Sequence, residues 1–147
     1  MSDRPSKLKE WAHRYQLELL YVFGSRAKEV LLWSKGEIES LASGPADIDI
    51  GVKPKAGCNL TVDDKVHLAL ALEKLFGVNR VDLVSFTEAD PFLAANIIRG
   101  ERLVAVDEYL ADEYVLYILR RAGDLIPFER ERMALILGEE TTPTNAG

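Results

Sequence analysis

Runs of apolar residues predict four β-strands along the chain. Residues 17–23 form an almost continuous apolar and aromatic run that ends at Gly24, a pattern typical of a buried strand. Residues 47–52 alternate between aspartate and isoleucine before a Gly-Val pair, and residues 81–86 and 102–106 form two further short runs. We therefore expect a strand at each of these four positions.

Helical spacing of apolar residues and helix-capping signals predict helices between these strands. Thr61, with Asp64 three residues later, resembles a capping box. Asp90 followed by Pro91 is a typical helix start. The predicted helices cover residues 6–15, 26–33, 62–76, 91–98, 107–121 and 128–137. Strands that alternate with helices indicate an α/β or α+β layered fold.

The length of 147 residues suits a single domain. We expect residues 1–106 to form its main part and residues 107–138 to be a helical extension of that same domain. Gly123 and Pro127 predict a break between the last two helices. The polar tail, residues 139–147, is expected to be disordered.

Composition and charge exclude several classes of protein. A hydrophobic content of 48% is enough for a core, and the net charge of −6 argues against non-specific binding to nucleic acid. Cys58 is the single cysteine, so no disulfide can form within the chain, which favours a reducing compartment. The first residues are polar and no apolar run approaches the length of a membrane span. We therefore expect a protein of the cytoplasm that does not interact with a membrane.

Two aspartates two residues apart are the strongest indication of chemistry. Side chains at i and i+2 of a strand share one face, so Asp47 and Asp49 are predicted to project together. Ile48 and Ile50 would then enter the core. Asp82 lies in the next predicted strand and would be costly to bury alone. Three such carboxylates suit Mg²⁺, which prefers hard oxygen ligands, and two ions can assist an in-line displacement.

The turn after the first strand could bind phosphate, because a strand that ends in Gly24-Ser25 presents backbone N–H groups. Each feature also has a structural interpretation. Gly24 could simply supply a positive φ in the turn, and Asp82 could form a salt bridge with Arg80 or Arg102. The three features in this order, each at a predicted strand, favour a combined metal and nucleotide site.

Three segments together resemble the minimal nucleotidyltransferase (MNT) domain of the polymerase β superfamily: residues 23–27, 46–50 and 81–84. The resemblance spans about residues 17–105. It implies a polymerase β-like fold, in which a small mixed sheet packs against helices.

The resemblance also assigns roles to residues. It implies that Gly24 and Ser25 hold the triphosphate of a nucleotide and that Arg26 helps to neutralise it. The implied Mg²⁺ ligands are Asp47, Asp49 and Asp82. Asp82 could instead be the base that assists the attacking hydroxyl.

The implied activity is transfer of a nucleoside monophosphate, AMP from ATP, to a hydroxyl, with release of pyrophosphate. Members of this family commonly act as the antitoxin of a pair whose toxin is a helical HEPN-type RNase, and the resemblance implies that the antitoxin can modify this toxin by adding AMP. A HEPN-type toxin is therefore the implied partner. An alternative is a non-catalytic antitoxin that neutralises its partner by docking. Modification of a small molecule such as an aminoglycoside would require a second acceptor-binding domain, which residues 107–147 hardly supply unless a dimer forms the site.

One departure from the family pattern is the distance between the two halves of the site. Twenty-one residues separate Ser25 from Asp47, about ten more than is usual in the family. The additional residues lie at about 29–44, and a lid, a partner surface or a neutral insertion all remain open. Residues 30–33 form an apolar patch in this insertion, which is predicted to join the core. The acceptor, the preferred base and the oligomeric state are also left open.

Overall fold

The structure is a computed structural model that describes residues 3–42 and 47–137, with side chains as far as Asp124. Its elements are α1 (Arg4–Arg14), β1 (Leu17–Phe23), α2 (Ala27–Ser34), β2 (Ile48–Pro54), α3 (Val62–Phe76), β3 (Val81–Ser85), a 3₁₀ turn (Phe86–Glu88), α4 (Pro91–Ile98), β4 (Glu101–Ala105) and α5 (Glu108–Leu137).

The four strands form one mixed sheet in the order β3-β2-β1-β4. Strand β1 is antiparallel to both β2 and β4, whereas β2 and β3 are parallel. This confirms the predicted α+β class and the small mixed sheet packed against helices. Because β1 is flanked on both sides, its backbone hydrogen bonds are satisfied within the sheet, as a buried strand requires.

Helices cover both faces of the sheet, and β1 contributes side chains to both. Leu20 and Val22 join the core formed with α1, α2 and α3, whereas Leu19, Tyr21 and Phe23 join the one formed with α4 and α5. Successive strand residues point to opposite faces, so a strand that is buried on both faces must be apolar throughout. This explains the continuous run from 17 to 23.

Strand β2 carries the alternation that the sequence predicted. Ile48 and Ile50 are fully buried in the core with α1, α2 and α3. The opposite face of β2 packs closely against α4, because a Cβ at Gly51 would lie only 2.4 Å from a methyl carbon of Ile97. Asp49 shares that face of the strand with Gly51. The core therefore fixes the face from which Asp49 projects.

The capping signals are confirmed in detail. The Thr61 side chain accepts a hydrogen bond from the Asp64 N–H, and the Asp64 carboxylate accepts one from the Thr61 N–H, each at 3.0 Å. Asp90 accepts a bond of 2.8 Å from the N–H of Leu93 at the start of α4. Helix α2 begins one residue later than expected, after Arg26, and β2 extends as far as Pro54.

The predicted break in the last helix is wrong. Helix α5 continues through Gly123 and Pro127 to Leu137. A proline in a helix removes one hydrogen bond and introduces a local kink, so it need not end a long helix. The predicted disordered tail lies outside the described residues. Across residues 3–42 and 47–137, no helix combines the length and hydropathy needed to cross a bilayer.

Candidate functional site

Three aspartates and a glycine turn meet at one end of the sheet. In the strand pairing, Asp49 lies opposite Phe23 of β1 on one side and opposite Asp82 of β3 on the other. Asp47 comes directly before β2. Paired residues on neighbouring strands are about 4.8 Å apart and share a face of the sheet. The fold thus brings the two sequence-distant carboxylates, Asp49 and Asp82, side by side.

Gly24 packs directly against Asp49. It adopts a φ of +82°, and a Cβ at this position would lie 2.4 Å from Oδ2 of Asp49. Two requirements for glycine therefore coincide here, a left-handed backbone and the lack of a side chain. Ser25 follows in the exposed part of the turn before α2.

The carboxylate that is costly in charged form is Asp49. Burial is the main factor that raises its pKa, and the negative charges of Asp82 and Asp47 raise it further. The sequence had indicated Asp82 for this position, because Asp82 stands in an apolar run. That expectation is corrected by the structure: the Asp82 side chain is 42% exposed, since β3 is at the edge of the sheet.

Arg80 forms ion pairs with two of these carboxylates. Its Nε lies 3.2 Å from Oδ1 of Asp82 and 3.5 Å from Oδ2 of Asp47. One of the two salt-bridge partners considered for Asp82 is thereby confirmed. Arg102, the other, instead binds Glu108 and Asp112 at 2.7 and 3.0 Å.

The donor set fits Mg²⁺ by its chemistry. Three carboxylates offer only hard oxygen ligands, and together they carry more negative charge than Arg80 can balance. In the part of the chain that the structure describes, however, no group of three or more acidic, histidine or cysteine side chains is arranged to hold an ion as it stands. The assignment of a metal to these residues stays a prediction.

Arg26 contacts the insertion. Its Nε and Nη2 donate to the carboxylate of Glu29 at 3.0 and 3.1 Å, and Nη2 also donates to the carbonyl of Ala42. Glu29 accepts a further bond of 2.6 Å from the N–H of Ala42. The hydrogen bond with Arg26 is the main factor that lowers the pKa of Glu29. Arg26 therefore joins the glycine turn to the insertion, and its predicted contact with phosphate stays a prediction.

A second arginine anchors the same insertion from the other side. Arg4 donates to the carbonyls of Trp33, Ile38 and Glu39, two of these bonds being 2.8 and 2.7 Å long. Its guanidinium also lies 4.5 Å from the centre of a Trp33 ring. Trp33 and Val30 are buried, as predicted for the apolar patch, whereas Leu32 is 37% exposed, so only part of the patch joins the core. The described part of the insertion is thus packed on the domain.

Sequence reasoning did not identify Glu29 as part of this region, and it considered Arg80 only as a partner of Asp82 and not of Asp47. Each stands two or three residues from a singled-out residue, Glu29 three after Arg26 and Arg80 two before Asp82. Such spacings are common for surface ion pairs, so only the strand pairing and the path of the insertion show what these two residues contact.

A mixed sheet with this end-of-strand arrangement is the framework expected of a nucleotidyltransferase. The sequence model of the family described as "Polymerase beta, Nucleotidyltransferase" matches residues 6–109, so the chain belongs to that family. The match includes all six residues that were singled out. A comparison of the sequence with curated proteins gives no significant match.

Solved structures with this fold include several toxin–antitoxin complexes. A chain from the structure of a tri-AMPylated Shewanella oneidensis HEPN toxin in complex with an MNT antitoxin is 20% identical and has a TM-score of 0.61; the match covers 90% of this chain and 92% of that chain. A chain from a toxin–antitoxin structure with AMP-PNP is 22% identical, with a TM-score of 0.62 and coverage of 90% and 94%. A chain from a mutant MntA–HpeT complex is 21% identical, with a TM-score of 0.63 and the same coverage. At these identities the likeness shows a shared fold.

Proposed function

We propose that the chain is a Mg²⁺-dependent nucleotidyltransferase that transfers AMP from ATP to a hydroxyl on a HEPN-type toxin, and that it acts as the antitoxin of that toxin. The observation that supports this most directly is the pairing of Asp49 with Asp82 beside Gly24. It joins paired acidic ligands to a turn that can approach a phosphate, which is what a nucleotidyl transfer requires.

The related structures support the partner and the nucleotide. One of them contains a HEPN toxin that carries three AMP groups together with its MNT antitoxin, and another contains AMP-PNP. A third is a mutant in which two aspartates, two positions apart, are replaced by glutamate. Asp47 and Asp49 have the same spacing in this chain. A cytoplasmic location is part of the proposal, because the reaction consumes ATP.

The proposed roles follow from the placement of each residue. Asp47, Asp49 and Asp82 would hold the metal, which when bound neutralises the phosphates and orients the nucleotide. The N–H groups of Gly24 and Ser25 would bind the triphosphate at the start of α2, where the helix dipole favours negative charge. Arg26 would add positive charge to this turn while it keeps its bond with Glu29.

In the proposed reaction, the hydroxyl oxygen of the acceptor forms a bond with the α-phosphorus of ATP. The bond from that phosphorus to the oxygen that bridges to the β-phosphorus breaks, and pyrophosphate leaves with the bonding electrons. The proton of the hydroxyl passes to a carboxylate of the site or to water. Asp82 is accessible enough to accept it, because its side chain is 42% exposed.

A transfer assay tests the proposal. The purified chain is incubated with its HEPN-type partner, MgCl₂ and ATP labelled in the α-phosphate, and label on the partner is measured. We expect transfer by the wild type and none by Asp49→Asn, which keeps the shape of the side chain but not its charge. Lys65→Gln is the matched control, since it removes an exposed ion pair with Glu88 at the opposite end of the sheet. If the wild type transfers no label and Asp49→Asn still neutralises the toxin, the docking alternative is correct instead.

A further inference from the structure

Arg80 occupies a position that neither the family match nor the neighbours assign. It directly precedes β3, and its carbonyl accepts a hydrogen bond of 3.3 Å from the N–H of Ile48. The backbone of Arg80 is therefore attached to β2, directly beside Asp47. Its side chain is 67% exposed and reaches along the outer edge of the site.

The guanidinium bridges two carboxylates that come from different elements. Nε lies within 3.5 Å of both Asp82, in β3, and Asp47, before β2. These are two of the three proposed metal ligands. The positive charge of Arg80 thus reduces the repulsion between these two carboxylates. Without it they would lie close together with no cation between them, which is unfavourable for like charges.

These contacts are easily exchanged. All three side chains are more than a third exposed, at 67%, 38% and 42% for Arg80, Asp47 and Asp82. Ion pairs that are this exposed contribute little to stability because water and salt screen them. A divalent ion with hard-ligand chemistry competes well for the same oxygen atoms. The long arginine side chain can then swing into solvent while the backbone stays in place.

We propose that Arg80 is a built-in counter-ion of this site, which holds Asp47 and Asp82 together in the metal-free protein and competes with Mg²⁺ for them. Arg80 is a positioning residue in this role. The inference rests on the proposed function, because it takes these aspartates as the metal ligands. Removal of Arg80 should lower the stability of the metal-free protein only slightly, because these pairs are exposed, and should also lower the Mg²⁺ concentration at which the ion binds.

The test compares Arg80→Gln with wild type by thermal denaturation at increasing MgCl₂, with NaCl adjusted to constant ionic strength. In EDTA the variant should melt at a lower temperature than the wild type. Its Mg²⁺-dependent rise in melting temperature should have a midpoint at about fivefold lower concentration, which corresponds to roughly 1 kcal/mol. Lys65→Gln, which loses one positive charge and an exposed ion pair far from the site, should keep the wild-type midpoint.

Two further variants keep the inference open to refutation. Arg80→Lys retains the charge and should give a midpoint between those of the wild type and Arg80→Gln. Asp49→Asn should abolish the Mg²⁺-dependent rise. An unchanged midpoint in Arg80→Gln, or a midpoint at higher Mg²⁺, would overturn the inference, the latter because the arginine would then assist binding. Failure of the proposed function would give a different result. Mg²⁺ would still stabilise the wild type in thermal denaturation, but the transfer assay would show no AMP on the partner.

Discussion

Substitution of Gly24 by alanine should separate a cost to the fold from a larger cost to the reaction. An alanine with a positive φ such as the +82° of Gly24 is strained by about 1–2 kcal/mol. Alanine also reduces the conformational entropy of the unfolded chain, and this effect alone stabilises the folded state by about 0.4–1 kcal/mol. The strain less this gain should therefore lower the free energy of unfolding by about 1 kcal/mol.

The new Cβ adds a second effect through Asp49. It would lie 2.4 Å from Oδ2, whereas an ordinary contact begins at 3.4 Å, so the oxygen must move by about 1.0 Å, the difference of the two. A side chain that is pushed this far from its preferred rotamer costs about 0.5–1.5 kcal/mol more. A displacement of about 1 Å in a reacting group can lower a rate about 100-fold. The expected loss of transfer is thus far larger than the loss of stability.

Gly57→Ala is the matched control. Gly57 has a φ of +80°, but nothing lies within 4 Å of a Cβ there, in the loop at the far end of β2. Gly57→Ala should therefore lose about the same stability through backbone strain and keep its transfer activity. Gly24→Ala should melt about 2–4 °C below Gly57→Ala, from the additional ~1 kcal/mol. Melting temperature and the initial rate of AMP transfer are the two measurements. If Gly24→Ala transfers AMP within threefold of Gly57→Ala, the close packing of Gly24 on Asp49 does not matter to the reaction and the reasoning is refuted.

Three other predictions concern charges. The pKa of Asp49 is raised in the folded state above its ordinary value of 3.8, mainly by burial and then by the charges of Asp82 and Asp47. The folded state therefore loses stability as pH rises from this ordinary value through the raised pKa, because the carboxylate must then carry its charge. The gain in melting temperature from Asp49→Asn in EDTA should therefore be larger at pH 7 than at pH 4, and an equal gain would contradict this. Arg102→Met should lower the free energy of unfolding by about 1–3 kcal/mol in urea, because it leaves the buried hydroxyl of Tyr21 without its 2.8 Å bond; a loss below 0.5 kcal/mol would mean that water replaces the arginine. Glu29→Gln weakens the pairing with Arg26, so limited proteolysis should cut the insertion faster than in wild type, and equal rates would show that the other anchor suffices.

Much of the fold follows from local signals. Buried strand β1 could be predicted because a strand covered on both faces must be apolar throughout, and the bounds 17–23 agree with the structure. The starts of α3 and α4 were predictable because capping is a contact between residues three apart. The continuity of α5 was not, because Gly123 and Pro127 lower helix propensity by amounts that a 30-residue helix can absorb.

The candidate site was predictable in its residue types but not in its electrostatics. The alternation around Asp49 gave the face of the strand from which it projects. Which aspartate is desolvated depends on strand order, since Asp49 lies in an inner strand and Asp82 in an edge strand. Nothing local distinguishes the two. The contact of Arg80 with Asp47 likewise depends on the parallel pairing of strands that are about 30 residues apart in sequence.

The packing of the sheet forces like charges together. Ile48 and Ile50 are fully buried, and a slip of one residue in β2 would move them to the other face and bring Asp49 into the core. The apolar residues thus hold Asp49 beside Asp82 even though both carry negative charge and burial raises the pKa of Asp49. Such an arrangement costs stability, and a cation bound between the carboxylates, as proposed, would offset that cost. By linkage, any ion or Mg²⁺-nucleotide that binds only the folded state must stabilise it, by an amount that grows with its concentration relative to its Kd. On the proposed function, binding would therefore recover the stability that the fold gives up at this end of the sheet. The substitutions test this at three points: Gly24→Ala displaces the Asp49 carboxylate, Asp49→Asn removes its charge, and Arg80→Gln removes the cation beside Asp47 and Asp82.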